Sequence, residues 1–269
     1  MSALFEAEDA GYAAGGRMLV READLALEPG RVVAIVGPNG AGKTTLMKLM
    51  TGELTPHAGA IRSLGAPLGR IPAWRLACRR AVMAQSTRLA FPFAVHEVVR
   101  LGIEGIGRAR APEAALSLVA EALERADALA LAGRDYQTLS GGEQQRVQFA
   151  RALCQLRAGA SVEAAQALFL DEPIASLDLC HQLALLDAAR DLARHAPVAV
   201  LAILHDLNLA AHYADHLVVM DQGAIVAAGP PAAVLDPALL RRVFRVAMAM
   251  PAGPPPMPFV LPQFCRPVA

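Results

Sequence analysis

The sequence predicts an α/β fold: a mostly parallel sheet covered by helices on both faces, with a helical insertion part-way along the chain. Three observations carry this. Apolar runs of strand length recur at Val32–Val36, Ala167–Leu170, Ala199–Leu204 and Leu217–Met220, separated by segments of helix length. Strands buried on both faces read as such continuous runs, whereas half-exposed antiparallel strands alternate. A glycine-rich turn follows the first run, and from Glu97 to Arg134 the pattern shifts to Ala/Leu-rich helical periodicity.

Taken in order, residues from about 3 to 36 mix short apolar alternations with turns such as Glu28-Pro29-Gly30 and read as strands. The last, Arg31 to Val36, opens onto Gly37-Pro38-Asn39-Gly40-Ala41-Gly42-Lys43-Thr44-Thr45, which fits the phosphate-binding P-loop at every constrained position. Gly37, Gly40 and Gly42 let the backbone turn its N–H groups onto phosphate oxygens. Lys43 brings a point charge to the β/γ-phosphates, and Thr44 a hydroxyl for Mg²⁺. A glycine-rich turn before any helix would satisfy the local pattern. The buried strand before it, and the apolar-periodic helix opening at Leu46-Met47-Lys48-Leu49-Met50, favour a nucleotide site with a helix N-terminus aimed at the phosphates.

Gly59 to Gly65 is a further short strand bounded by glycines. The helical block from Glu97 to Arg134 has Pro112 placed for a first turn and Glu113, Glu121 and Glu124 on polar faces. Alternation then returns: a helix from Gly141, the strand Ala167–Leu170, a helix from His181, the strand Ala199–Leu204, a helix near Asn208–Ala214 and the strand Leu217–Met220. Residues 251–269, with Pro254-Pro255-Pro256, read as an extended tail.

Composition narrows the class. The 269 residues are 55% hydrophobic, enough for a large buried core. Apolar runs stay strand-sized, as at Val198–Leu204, well short of the ~20 residues of a membrane span, so no direct membrane insertion is expected. Lys plus Arg equals Asp plus Glu at 25 each, so there is no basic field to steer the chain onto nucleic acid. Cys78, Cys154, Cys180 and Cys265 lack paired spacing, and Met1-Ser2-Ala3-Leu4 is not a basic-then-apolar leader, which together point to a reducing cytoplasm.

Two more segments carry chemistry. Ala167-Leu168-Phe169-Leu170-Asp171-Glu172 is a buried strand ending in adjacent carboxylates, and a parallel sheet delivers its ligands at the carboxyl ends of its strands. Asp171 is placed to hold Mg²⁺ through water and Glu172 to polarise an attacking water; a solvated strand-to-loop turn would need only one polar residue. In Leu139-Ser140-Gly141-Gly142-Glu143-Gln144-Gln145-Arg146-Val147, Ser140 and Glu143 form a capping box. Two glycines in its first turn cost about 1 kcal/mol each relative to alanine, more than a cap alone explains. Glycines there would bare the helix N-terminus to an anion.

With these three motifs in this order, the chain resembles the ATP-binding cassette ATPases that drive membrane transporters. Leu139-Ser140-Gly141-Gly142-Glu143 is similar to their signature motif. The resemblance covers about residues 3–250, with the helical subdomain at about 87–160. It implies a P-loop NTPase (RecA-like) core, an N-terminal antiparallel β subdomain and the inserted α-helical subdomain. It also implies ATP and Mg²⁺ as ligands, and a head-to-tail homodimer in which Ser140, Gly141 and Gly142 of one subunit close over the ATP held by Lys43 of the other. Tyr12 stands where the family stacks an aromatic on adenine. Gln85, after Ala81-Val82-Met83-Ala84, fits the family's glutamine contacting Mg²⁺ and the attacking water. Asp178, in Ala175-Ser176-Leu177-Asp178, resembles the loop crossing the dimer interface, although Ile174 replaces the usual threonine. His205, at a strand end, matches the histidine that bonds the γ-phosphate and orients Glu172. His205, His212 and His216, spaced by seven and four, invite a metal or haem reading, but His205 is already engaged and no third ligand type stands nearby.

Within the family, the chain is similar to the ATPases of bacterial haemin importers. This rests on Ala81–Gln85 with Leu89–Phe93, Arg134-Asp135-Tyr136, Leu177-Asp178-Leu179 with His181-Gln182, Leu204–Ala211, and a long link, Arg157 to Ala167, between the signature helix and the carboxylate strand. The resemblance implies transmembrane permease partners, through them a periplasmic substrate-binding protein, and a peripheral position on the cytoplasmic face of the bacterial inner membrane. ATPases of ferric-siderophore and cobalamin importers share much of this pattern and remain the alternatives. A soluble cassette of translation or DNA repair would be expected to carry two cassettes in tandem or a long coiled-coil insertion, and a basic surface, whereas this sequence shows one cassette and no net charge.

Overall fold

A computed structural model describes residues 3–85, 91–104, 106 and 112–247, with 112–114 described for backbone only. The tail from 251 onward, Cys265 and the pair Leu89-Ala90 lie outside these residues. The chain opens with the hairpin β1 (Phe5–Ala14) and β2 (Arg17–Leu27), turning at Gly15 and Gly16, both with positive φ. The five buried residues of β3 (Val32–Val36) lead through the P-loop to α1 (Lys43–Thr51). β4 (Ala58–Ser63) and the short β5 (Ala66–Pro67) return to the hairpin, completing an antiparallel sheet of order β2-β1-β4-β5.

Next come α2 (Ala73–Arg79) and β6 (Arg80–Met83), then three helices, α3 (Val95–Glu104), α4 (Pro112–Arg125) and α5 (Gly141–Gly159). The alternation resumes with β7 (Gln166–Asp171), α6 (Leu179–His195), β8 (Val198–Ile203), α7 (Leu207–Tyr213), β9 (His216–Asp221) and β10 (Ala224–Gly229). The central sheet has the order β10-β9-β3-β8-β7-β6, parallel but for the edge strand β10. Its register pairs Ile35 with Ile203, Asp171 with Ile203 and Met83 with Leu170. The carboxyl ends of β3, β6, β7 and β8 therefore meet along one edge, where open α/β sheets bind ligands.

Strand alternation sorts the core into two layers. Val198, Val200 and Ala202 of β8, with Leu168 and Leu170 of β7, face α3, α5 and α6. Ala199, Leu201 and Ile203, with Phe169, face α1 and the antiparallel sheet. Phe169 meets Phe5 of that sheet edge-to-face, ring centroids 5.5 Å apart, so the strand that ends in the carboxylates is anchored on both sides. Each such side chain contributes about 1.5–3 kcal/mol by leaving water.

The link after the signature helix differs from the expectation. α5 continues through Gly159, because Ala158 and Gly159 pack as buried helix residues, so the non-helical segment is 160–165 rather than one starting near Arg157. This short link is tightly held. Glu163 is 5% exposed; its carboxylate takes Arg79 Nε and Nη2 at 3.1 and 3.0 Å and Arg75 Nε at 2.6 Å. Arg79 Nη1 also donates to Ser63 Oγ, which donates to the Leu4 carbonyl. One buried carboxylate, through Arg79, thus fastens α2, β4, the residue leading into β1 and the approach to β7.

Candidate nucleotide site

The P-loop leaves β3 at Gly37, whose φ of 148° and close approach to the Met220 carbonyl exclude a side chain. Gly42, at φ 99°, is pressed in the same way onto the Leu19 carbonyl. The loop is therefore moulded against β2 and β9, and Gly223 N–H fastens it by donating to the Ala41 carbonyl at 3.0 Å. Lys43 is buried, its Nζ donating to the Gly37 and Pro38 carbonyls at 2.8 and 2.9 Å. Burial pulls the Lys43 ammonium below its ordinary range, partly opposed by the carboxylates of Glu172 and Asp171. A charge held this way is ready for phosphate. The cleft beside it, about 620 Å³, is lined by Leu19, Asn39 through Thr45, Gln85, Glu172 and His205.

The end of β7 brings Glu172 into this cleft and sets Asp171 beside it, against Thr44. Asp171 is buried and accepts a hydrogen bond from Thr44 Oγ1 at 3.2 Å. Burial pushes the Asp171 carboxyl above the usual range and Glu172 adds to this, while the Thr44 bond opposes it. A divalent cation would relieve that cost. Glu172 has a left-handed backbone, φ 50°, uncommon for a residue with a side chain though shared with six other non-glycine residues among those described. Its carboxylate is gripped from two sides: Gln85 Nε2 donates to Oε2 at 2.7 Å, and His205 Nε2 lies 2.6 Å from Oε1. His212 and His216 take no part; the His212 ring packs edge-on to Tyr213, and His216 begins β9.

Ser140 caps α5, accepting from Glu143 N–H, while Glu143 accepts from Ser140 N–H at 2.8 Å. The Ser140 and Arg134 contacts hold the Glu143 carboxyl below its usual range. Ser140, Gly141, Gly142 and Asp178 do not line the P-loop cleft of their own chain. Gly142 has a role the sequence reading left out: a Cβ there would sit 2.9 Å from the Ser176 carbonyl oxygen. Its bareness is used for packing inside the chain, whatever it also offers an anion. Asp178 caps α6 through His181 N–H, and Ile174 is buried in the helix-side core, so packing absorbs its departure from threonine. Tyr12 pairs with Val20 across the hairpin, and its ring stacks on His57 at 4.8 Å and 6°.

Residues 20–175 match the family model described as ABC transporter. The chain belongs to the ABC transporter family. It is 45% identical over 266 residues to the hemin import ATP-binding protein HmuV of Rhodopseudomonas palustris strain HaA2, covering 99% of this chain and all of that one. It is 46% identical to the HmuV protein of Mesorhizobium japonicum, covering 97% and 98%. Among solved structures, cbiO1 of Clostridium perfringens, part of the ABC transporter complex cbiONQ, superposes with a TM-score of 0.74 at 23% identity, covering 90% of this chain and 94% of that one. The ATP-binding cassette MJ0796, a dimer bound to ADP and Pi, gives 0.72 at 20% identity, covering 84% and 98%. Like its relatives, this member of the family is an ATP-hydrolysing transporter subunit. Among the described residues, no helix is long and apolar enough to cross a membrane.

Gln145, within this ABC transporter's signature helix, is the site residue that motif reading overlooked. Its Nε2 donates to the Glu172 carbonyl at 3.4 Å, and its Oε1 accepts the Ser176 N–H at 3.0 Å. One amide thus spans the left-handed residue and the loop behind it. Gln145→Ala is expected to lower kcat roughly tenfold, the loss of two ordinary hydrogen bonds, with nucleotide affinity unchanged. Measuring turnover and nucleotide Kd on the same preparation checks this; equal losses in both would assign Gln145 to folding.

Proposed function

We propose that this ABC transporter subunit powers haemin import, working as a homodimer beneath a pair of transmembrane permease subunits on the cytoplasmic face of the inner membrane. A periplasmic binding protein hands over the cargo. The grip of Gln85 and His205 on Glu172 beside the P-loop is the observation that carries the chemistry; 45–47% identity along the whole chain to haemin-import ATPases carries the cargo.

In this reading ATP lies with its phosphates in the loop Gly37-Pro38-Asn39-Gly40-Ala41-Gly42-Lys43-Thr44-Thr45, and Lys43 exchanges its carbonyl partners for the β/γ-phosphates. Adenine stacks on Tyr12, whose ring is already stacked on His57. The pairing of a buried, cation-seeking carboxylate with a hydroxyl fits Mg²⁺, which would be held by Thr44, Gln85 and, through water, Asp171. Bound there, Mg²⁺ neutralises charge on the transferring phosphoryl group. Glu172 accepts a proton from the attacking water, His205 bonds the γ-phosphate and keeps Glu172 turned toward that water, and Ser140, Gly141 and Gly142 of the partner close the site with Asp178 at the seam.

Lys43→Ala is expected to weaken nucleotide binding about tenfold or more, the scale of hydrogen bonds from a charged donor; a fluorescent ATP analogue titrated into both proteins reads it directly. The function itself is tested by reconstituting the subunit with its permease in vesicles and supplying haemin with its periplasmic carrier. Haemin uptake that needs ATP supports the reading. ATPase stimulation by a ferric siderophore or cobalamin, with none by haemin, overturns the cargo and leaves the mechanism.

A further inference from the structure

On the opposite edge of the central sheet, at the amino ends of β7 and β8, lies a second cleft of about 540 Å³, in the size range of small-molecule sites. None of the residues assigned to ATP lines it. Its floor is apolar, with Ala122, Leu153, Leu156 and Leu192 among the lining residues. Besides Gln166, whose side-chain NH2 is engaged by the Cys78 and Leu156 carbonyls, two polar features break that apolar lining. On the α4–α5 wall, Arg125 and Arg157 flank Glu121, at 4.0 and 3.2 Å from the same carboxylate oxygen, and both arginine side chains are about half exposed. On the α6 wall stands exposed His195, beside Asp191.

The histidine is chemically prepared. Its Nδ1 lies 2.9 Å from the Asp191 carbonyl oxygen, which can only accept, so Nδ1 carries a proton there and, in the neutral ring, Nε2 is the nitrogen that holds the lone pair. Metal-ligating histidines are typically oriented by such a bond from the other ring nitrogen. Charge follows the same division. The two arginines against Glu121 leave one positive charge on one wall, and Asp191 places a negative charge near His195 on the other. We propose that this cleft binds haemin, with His195 Nε2 ligating the iron and Arg125 and Arg157 receiving the propionates. Ferric haem carries a formal positive charge at its centre and a negative charge on each propionate, and its porphyrin faces are apolar, so walls, floor and ligand correspond. The choice of porphyrin rests on the cargo reading above; the subunit would then hold its own cargo after delivery.

The test is a haemin titration of the purified full-length protein, followed by Soret absorption. The expected result is saturation at one haemin per chain with a histidine-ligated spectrum. His195→Ala loses that spectrum and binds about tenfold more weakly, and Arg125→Glu/Arg157→Glu weakens binding by a similar factor while keeping the ligated spectrum. Iron-free protoporphyrin should bind wild type and His195→Ala alike, because only the metal needs the imidazole. Binding that never saturates, or identical haemin spectra for wild type and His195→Ala, overturns the proposal. ATPase activity in each variant, expected unchanged, shows that the fold is intact. Vesicle uptake is read separately: uptake without saturable binding removes this site alone, and saturable binding without uptake removes the cargo assignment alone.

Discussion

Glu172→Gln is expected to lower ATP turnover by about 10²–10⁴-fold, the usual contribution of a positioned general base, while leaving ATP binding intact. The substitution keeps the shape and removes the charge. Gln85 Nε2 can still donate to the amide oxygen, and His205 must give up its acceptor or adopt the other tautomer, so rearrangement stays confined to this triad. Lys43, Thr44 and the P-loop backbone are untouched. A protein that binds ATP but cannot consume it should accumulate as the ATP-bound dimer. Rapid-quench turnover paired with light-scattering mass after ATP addition measures both effects. Near-normal turnover would remove Glu172 from the chemistry.

The largest stability loss is expected from Glu163→Ala. Removing the carboxylate leaves the Arg79 guanidinium, 5% exposed, without its main partner, and stranding one member of a buried pair costs about 3–5 kcal/mol. For a domain of this size that lowers Tm by roughly 10 °C. Arg75→Ala should cost little, because its side chain is half exposed and water replaces the pair. Replacing both partners, as in Glu163→Leu/Arg79→Met, should recover much of the loss, since no charge is left buried unpaired. Thermal melts of the four proteins decide this. A melt for Glu163→Ala within a degree or two of wild type would show that the cluster is not a fastening point.

The P-loop half of the candidate site was legible because its residues are local. Gly37, Gly40, Gly42 and Lys43 sit in one nonapeptide, Asp171 and Glu172 end one strand, and a parallel sheet has a single edge to which it can bring them. Gln85 and His205 needed the family resemblance, since a lone polar residue at a strand end has no signature of its own. Their convergence on the two oxygens of Glu172 is a fact of sheet order, with β6, β7 and β8 adjacent. Gln145 and Glu163 were illegible for the same reason. What makes each important is a partner 27 or 31 residues away for Gln145 and 84 or 88 for Glu163, separations that no periodicity reports. The Gly142 contact with Ser176 is similar: the sequence shows a costly glycine and cannot say which neighbour makes it necessary.

That contact, together with Gln145, makes the first turn of α5 and the end of β7 a single mechanical body. The helix end cannot shift without dragging the backbone of Glu172 and the loop at Ser176 with it. In the proposed head-to-tail dimer the same helix end rests on the other subunit's nucleotide. On that proposal each protomer's Glu172 stands one glutamine away from the surface that would touch its neighbour's ATP, and the two engines would be geared: neither would fire, empty or refill without moving the timing of the other.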